Sequence, residues 1–180
     1  MRLLSAVILL GISSCSNPDP LTPSDAFVAS EIAIDTVLAF TQNGELITCN
    51  SEFPSCDRPR NLTCGPIALA GPPDGDSFPL EAGGRLEVGI LCGAILEQGG
   101  IGSRDFTITS TVPAGSSAVV EVSFDGIVFH TLTSLDTSNQ SFDLAFATDA
   151  LDVVRYVRIS DSGSGGIAID AIQPTPTPQN

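Results

Sequence analysis

Apolar residues at every second position constrain this chain more than any other feature. In RLEVGILC (85–92) the apolar set is Leu86, Val88, Ile90 and Cys92; in DFTIT (105–109) it is Phe106 and Ile108; in AVVEVSF (118–124) it is Ala118, Val120, Val122 and Phe124. Successive side chains of an extended chain point to opposite faces, so a period of two describes a strand with one face in a core and one in water. Further strands are expected at 31–40, 142–147, 153–160 and 167–172, and no stretch sustains a helical period between caps. Asp125-Gly126 separates AVVEVSF from IVFHTLTS, which predicts a hairpin turn, with Val128, His130 and Leu132 on one face of the second strand. About eight short strands, punctuated by 17 Gly and 13 Pro, predict an all-β fold with little or no helix, an antiparallel sandwich or jelly roll.

The ends of the chain are of another kind. MRLLSAVILLGISS places one Arg before an apolar run from Leu3 to Ile12, which is the charge order of a secretory signal and too short to span a bilayer. Ile12-Ser13-Ser14-Cys15 follows and resembles the lipobox of bacterial lipoproteins. The resemblance implies removal of residues 1–14, acylation of Cys15 with attachment to the membrane, and, with Ser16 next, sorting to the outer membrane. Residues 15–26 are polar and Pro-rich and read as a tether. The sandwich is expected over 27–173, a length sufficient for one real core, and 174–180 as a disordered Pro/Thr tail.

Charge narrows the partners. The chain carries 21 acidic residues against seven basic ones, all Arg, for a formal net charge of −14. Binding nucleic acid requires clustered cations to neutralise phosphates, so nucleic acid is excluded as a partner. An acidic surface stays hydrated and is compatible with divalent cations. With Cys15 assigned to lipid, Cys49, Cys56, Cys64 and Cys92 form an even set in an exported chain, so two disulfides are expected, in a pairing that sequence leaves open. A zinc site is the alternative, but no Cys-x-x-Cys pair is present and the one His is distant.

RYVRISDSGSGGIAIDAI (155–172) is similar to the closing strands of galactose-binding-like β-sandwiches. LAGPPDG (69–75), LEAGGRLEVG (80–89), GIGSRDFTI (100–108), VEVSFDGIVFHTL (120–132) and SFDLA (141–145) resemble that family's earlier segments in the same order. The likeness is to discoidin-type and carbohydrate-binding domains, and nearest to lipoproteins of Gram-negative bacteria. It implies a jelly-roll sandwich over roughly 27–173 and a glycan or an envelope protein as partner. In related carbohydrate-binding sandwiches an Asp at the place of Asp170 helps to hold a structural calcium ion with oxygens from the first strand, here Glu31 or Asp35. Asp170 can instead be a solvated carboxylate or a loop cap accepting backbone N–H groups.

Catalysis finds little support. His130 has no G-x-S-x-G serine to serve as base, and Asp74 with Asp76 lie in GPPDGD, which is turn chemistry. There is no Trp and Tyr156 is the sole Tyr, so sugar-stacking aromatics are scarce. The expectation is a non-catalytic binding domain on a cell-envelope lipoprotein. Its competitor is a structural surface spacer without a small-molecule site, and aromatic residues in the loops are what separates the two.

Overall fold

A computed structural model describes residues 34–49, 69, 72–90, 92–149, 151–163 and 166–175. Cys15, Glu31, Cys56, Cys64, the signal and tether segments and residues 176–180 lie outside the described residues. The strands are β1 (Thr36–Gln42), β2 (Glu45–Thr48), β3 (Phe78–Leu80), β4 (Arg85–Gly89), β5 (Ile95–Leu96), β6 (Phe106–Thr111), β7 (Ala118–Ser123), β8 (His130–Leu135), β9 (Ser141–Phe142), β10 (Val153–Val154), β11 (Tyr156–Asp161) and β12 (Ile167–Pro174). Eight of these have four residues or more, and a 3-10 turn spans Leu144–Phe146.

These strands form an antiparallel β-sandwich. One sheet runs β2-β1-β4-β11-β7-β8, the other β3-β12-β6-β9, and β5 pairs with β10 in a short ribbon. The alternation explains the core: Leu86 and Val88, Val120 and Val122, and Val157 and Ile159 project from three adjacent strands of the large sheet. Phe106, Ile108, Ile167 and Ile169 come from the small one, and all ten are at most 2 % exposed. Phe40 of β1 meets Phe78 of β3 edge to face at 5.7 Å, an aromatic contact between the two sheets.

Three bulges change the phase of the pattern, the first on β1, where the register against β4 shifts between Val37 and Ala39 and Ala39 and Phe40 are both buried. On β12 the register shifts between Ile169 and Ala171, so Asp170 is the extra residue and Ala171 and Ile172 are both buried. On β8, Thr133 faces Val120 and Thr131 faces Glu121, which leaves Leu132 unpaired in the ladder and buried with Leu135.

The connection from β7 to β8 differs from the expected hairpin. The second strand begins at His130, and residues 124–129 form a loop, because Asp125 Oδ1 accepts the N–H groups of Ile127 and Val128 at 2.8 and 3.0 Å. Those amides serve the loop rather than a ladder, and Val128 is 55 % exposed instead of sharing the buried face of Leu132. The expected strand at 142–147 is likewise cut short at Phe142, where Asp143 caps the 3-10 turn by accepting the N–H of Ala145. At the C-terminal end β12 continues to Pro174, and the Thr175 N–H donates to Asp105 O at 2.7 Å, so the sheet reaches past residue 173.

Candidate functional site

Carboxylates fasten the loops of one region. After β5 the sequence EQGGIGSRD (97–105) places an acid at each end of a glycine loop, and Gly99, Gly100 and Gly102 all take positive φ, a conformation that costs glycine little. Glu97 Oε1 accepts the Gly99 N–H at 3.1 Å and that of Gly100. Asp105 is fully buried and accepts from the N–H of Gln98 at 2.9 Å, from the N–H of Leu144 at 2.7 Å and from the Ser103 hydroxyl at 3.3 Å. Asp143 takes the Gly102 N–H at 2.6 Å on one oxygen and the Ala145 N–H at 2.8 Å on the other.

One oxygen from each of Glu97, Asp105 and Asp143 lies within 4.8 Å of the others. Burial pushes the Asp105 carboxyl up from its ordinary 3.8, and the charges of Asp143 and Glu97 add to this, against the lowering effect of the Leu144 and Gln98 amides. Carboxylate oxygen is the right donor for a hard cation, but calcium takes about six to eight oxygens. Here the amide hydrogens of six residues are aimed into the same carboxylates, which neutralises them locally and opposes a second positive group. The arrangement works as a clamp that holds the 97–105 loop against the 3-10 turn.

The sequence-derived metal set is distributed differently. Asp170, pushed outward by its bulge, accepts the Asp74 and Gly75 N–H groups at 3.3 and 3.2 Å and so caps the 72–76 loop. Asp35 is buried and accepts the Cys92 N–H at 2.6 Å, tying the start of β1 to the segment after β4. Neither belongs to the converging carboxylates, and Glu31 lies outside the described residues. Cys49 and Cys92 are both disulfide-bonded. His130 Nδ1 stands 3.0 Å from Asp149 Oδ2, and among the described residues no serine hydroxyl is hydrogen-bonded to its ring.

Beside the clamp is an open cleft of about 500 Å³. Its walls are Gly102, Ser103 and Arg104 from the glycine loop, Leu132 and Thr133 from β8, Asn139, Ser141 and Phe142 around β9, and Asp143 and Phe146 at the 3-10 turn. Phe146 is 57 % exposed although it is a large apolar side chain. Alternation does not find this cleft, because most of its residues lie on loops and strand ends. The signals that point to it are the glycine loop bracketed by acids and the run Phe-Asp-Leu-Ala-Phe, whose period breaks at the cap. No protein-family model, curated protein or solved structure matches this chain.

Proposed function

We propose that this chain is an outer-membrane lipoprotein, anchored through acylated Cys15, whose jelly-roll sandwich binds a glycan or another envelope molecule without catalysis. The observation that carries the binding reading is Phe146, an exposed aromatic in a cleft that presents hydroxyl, amide and guanidinium groups beside Leu132, Phe142 and the Asp143 carboxylate. A pyranose ring has an apolar face that packs on an aromatic ring and hydroxyls that need directional partners, and a cleft of mixed character with a few convergent polar groups suits it. Such a cleft falls within the about 300–1,000 Å³ common for ligand sites. Phe146 also supports the binder over a featureless spacer, since its exposed ring stands at a cleft beside polar groups, where a ligand can cover it. The likeness to carbohydrate-binding sandwiches points the same way as an analogy of fold.

The test is a glycan array probed with the full chain in detergent, with calcium and with a chelator, beside the Phe146→Ala variant. Binding to a set of glycans that Phe146→Ala loses supports the reading, and comparison of the two conditions separates a cation-assisted site from one working by side chains alone. Absence of binding under both conditions favours the spacer. The anchor is tested separately: Cys15→Ser should no longer incorporate labelled fatty acid or partition into detergent, and a variant that still does both refutes it.

A further inference from the structure

Arg104 lines the cleft and is exposed. Its situation differs from that of the other described arginines. Arg85 is paired with Glu87, Arg158 lies between Glu87 and Glu121 with its guanidinium 3.4 Å over the Phe129 ring, and Arg155 lies 5.7 Å over the ring of Phe124. Among the described residues Arg104 is the one arginine with neither an ion pair nor a ring contact. In a chain with 21 acids and seven bases, leaving a guanidinium unmatched at a cleft is the unusual arrangement.

Neighbouring acids do not pair with it. Asp143 turns both oxygens to the Gly102 and Ala145 amides, and Asp105, fully buried, turns its own to Gln98 and Leu144. Their charge is met by N–H donors inside the loop clamp, while Arg104 projects to solvent on the cleft side. Guanidinium offers paired N–H donors in a planar fork that matches a carboxylate, and weak hydration makes it a good partner for one brought by a ligand.

We infer that the cleft selects an acidic saccharide, with a sugar carboxylate paired on Arg104 and the apolar face of the same or the adjoining ring on Phe146. Ser141 and Asn139, whose side-chain amide also donates to Ser134 O at 2.7 Å, belong to the same lining and can meet ring hydroxyls. The inference rests on the binding reading above and narrows it: a neutral sugar would use Phe146 and the amides but leave Arg104 idle. A sulfate ester offers the same negative charge with a tetrahedral rather than planar oxygen set, so the two acids can be told apart by preference.

Calorimetric titration of the full chain in detergent tests this with four probes: trigalacturonate, its methyl ester, the corresponding neutral trisaccharide and a sulfated trisaccharide. Trigalacturonate should bind about tenfold or more tighter than its ester, a margin of about 1.4 kcal/mol, and tighter than the sulfated sugar. Arg104→Gln, with an unchanged melting temperature, should remove that margin so that acid and ester bind alike, whereas Phe146→Ala should weaken both and keep the margin between them. Equal binding of acid and neutral sugars by the parent overturns the inference and leaves the binding function standing. A preference for the sulfated sugar that Arg104→Gln removes overturns the carboxylate assignment but keeps Arg104 as the anion-recognising group. If none of the four probes binds, the inference falls, and the glycan array decides the broader reading.

Discussion

The Asp105 carboxylate accepts a hydrogen bond from the Leu144 N–H at 2.7 Å, a bond that joins positions 39 residues apart. It fastens the glycine loop after β5 to the 3-10 turn after β9, and these two segments supply Arg104 and Phe146 to the cleft. The chemistry of a single buried carboxylate therefore sets the spacing of the two groups proposed to recognise a ligand.

That carboxylate gives a pH signature. Burial raises the folded-state pKa of Asp105 above the ordinary 3.8, so the folded state binds this proton more tightly than the unfolded chain does. Stability from the site is then greatest at low pH and falls as pH rises from the unfolded value through the folded one. Urea titrations of the parent and Asp105→Asn from about pH 3 to about 7 should show a declining contribution in the parent that the variant lacks. Asp105→Ala should cost about 1–3 kcal/mol for each amide left buried without an acceptor. A parent-minus-variant difference that does not vary with pH would show that the buried charge is not being penalised.

How far the fold was legible follows from where alternation holds. It holds for β4, β6, β7 and β11, whose Leu86, Val88, Ile108, Val120, Val157 and Ile159 are fully buried, because a period of two is the direct consequence of an extended chain between core and water. It fails after Ala39, at Leu132 and after Ala171, where a bulge inserts one residue and shifts the phase without leaving a compositional mark. Asp125-Gly126 suggested a tight hairpin that the structure replaces with a longer loop, whereas a tight hairpin forms at Asn43-Gly44, which the strand pattern did not single out: Gln42 pairs with Glu45 and both turn residues have positive φ, 53° and 78°. The difference lies in the Asp125 side chain, which competes for the loop amides. The clamp and the cleft join loops from distant parts of the sequence, and no periodic pattern encodes such a meeting.

The Asn43-Gly44 turn is held from outside. Glu81 accepts the Asn43 N–H at 2.6 Å and the Gly44 N–H at 2.9 Å with its two oxygens, so the β1-β2 hairpin is fixed by a residue nearly forty positions away. Glu81→Ala should speed amide exchange at residues 43–48 and cost about 1 kcal/mol, with Glu81→Gln intermediate because it keeps one acceptor oxygen. Gly44→Ala should cost a similar amount by strain at positive φ. Unchanged exchange in Glu81→Ala would mean that water replaces the carboxylate without loss.

Cys49 and Cys92 are both disulfide-bonded, and the Cys92 N–H donates to Asp35, just before β1, at 2.6 Å. Alkylation of the folded, unreduced protein followed by mass spectrometry should find neither residue modified. Reduction should destabilise the domain by about 2–5 kcal/mol, the usual cost of losing a native disulfide from a small domain. Modification of either cysteine without prior reduction would contradict the bonded state.

Asp170 separates two roles for a carboxylate at the end of a sandwich. As a loop cap, it donates nothing to a cation and instead accepts the Asp74 and Gly75 amides. Asp170→Ala should then raise exchange at those two amides and cost about 0.5–1.5 kcal/mol, the usual net worth of a hydrogen bond. Asp170→Asn should be milder, since its amide oxygen can still accept one of them. Neither substitution touches Glu97, Asp105 or Asp143, so both variants should follow the parent when calcium is added or chelated, whatever the size of the parent's response. A cation that bound only the folded state would raise stability by about 2.7 kcal/mol at a hundredfold excess over its dissociation constant. If the parent gains on that scale and Asp170→Asn does not, the carboxylate is a metal ligand and the cap is the secondary role. If both gain alike, the loop amides are its partners.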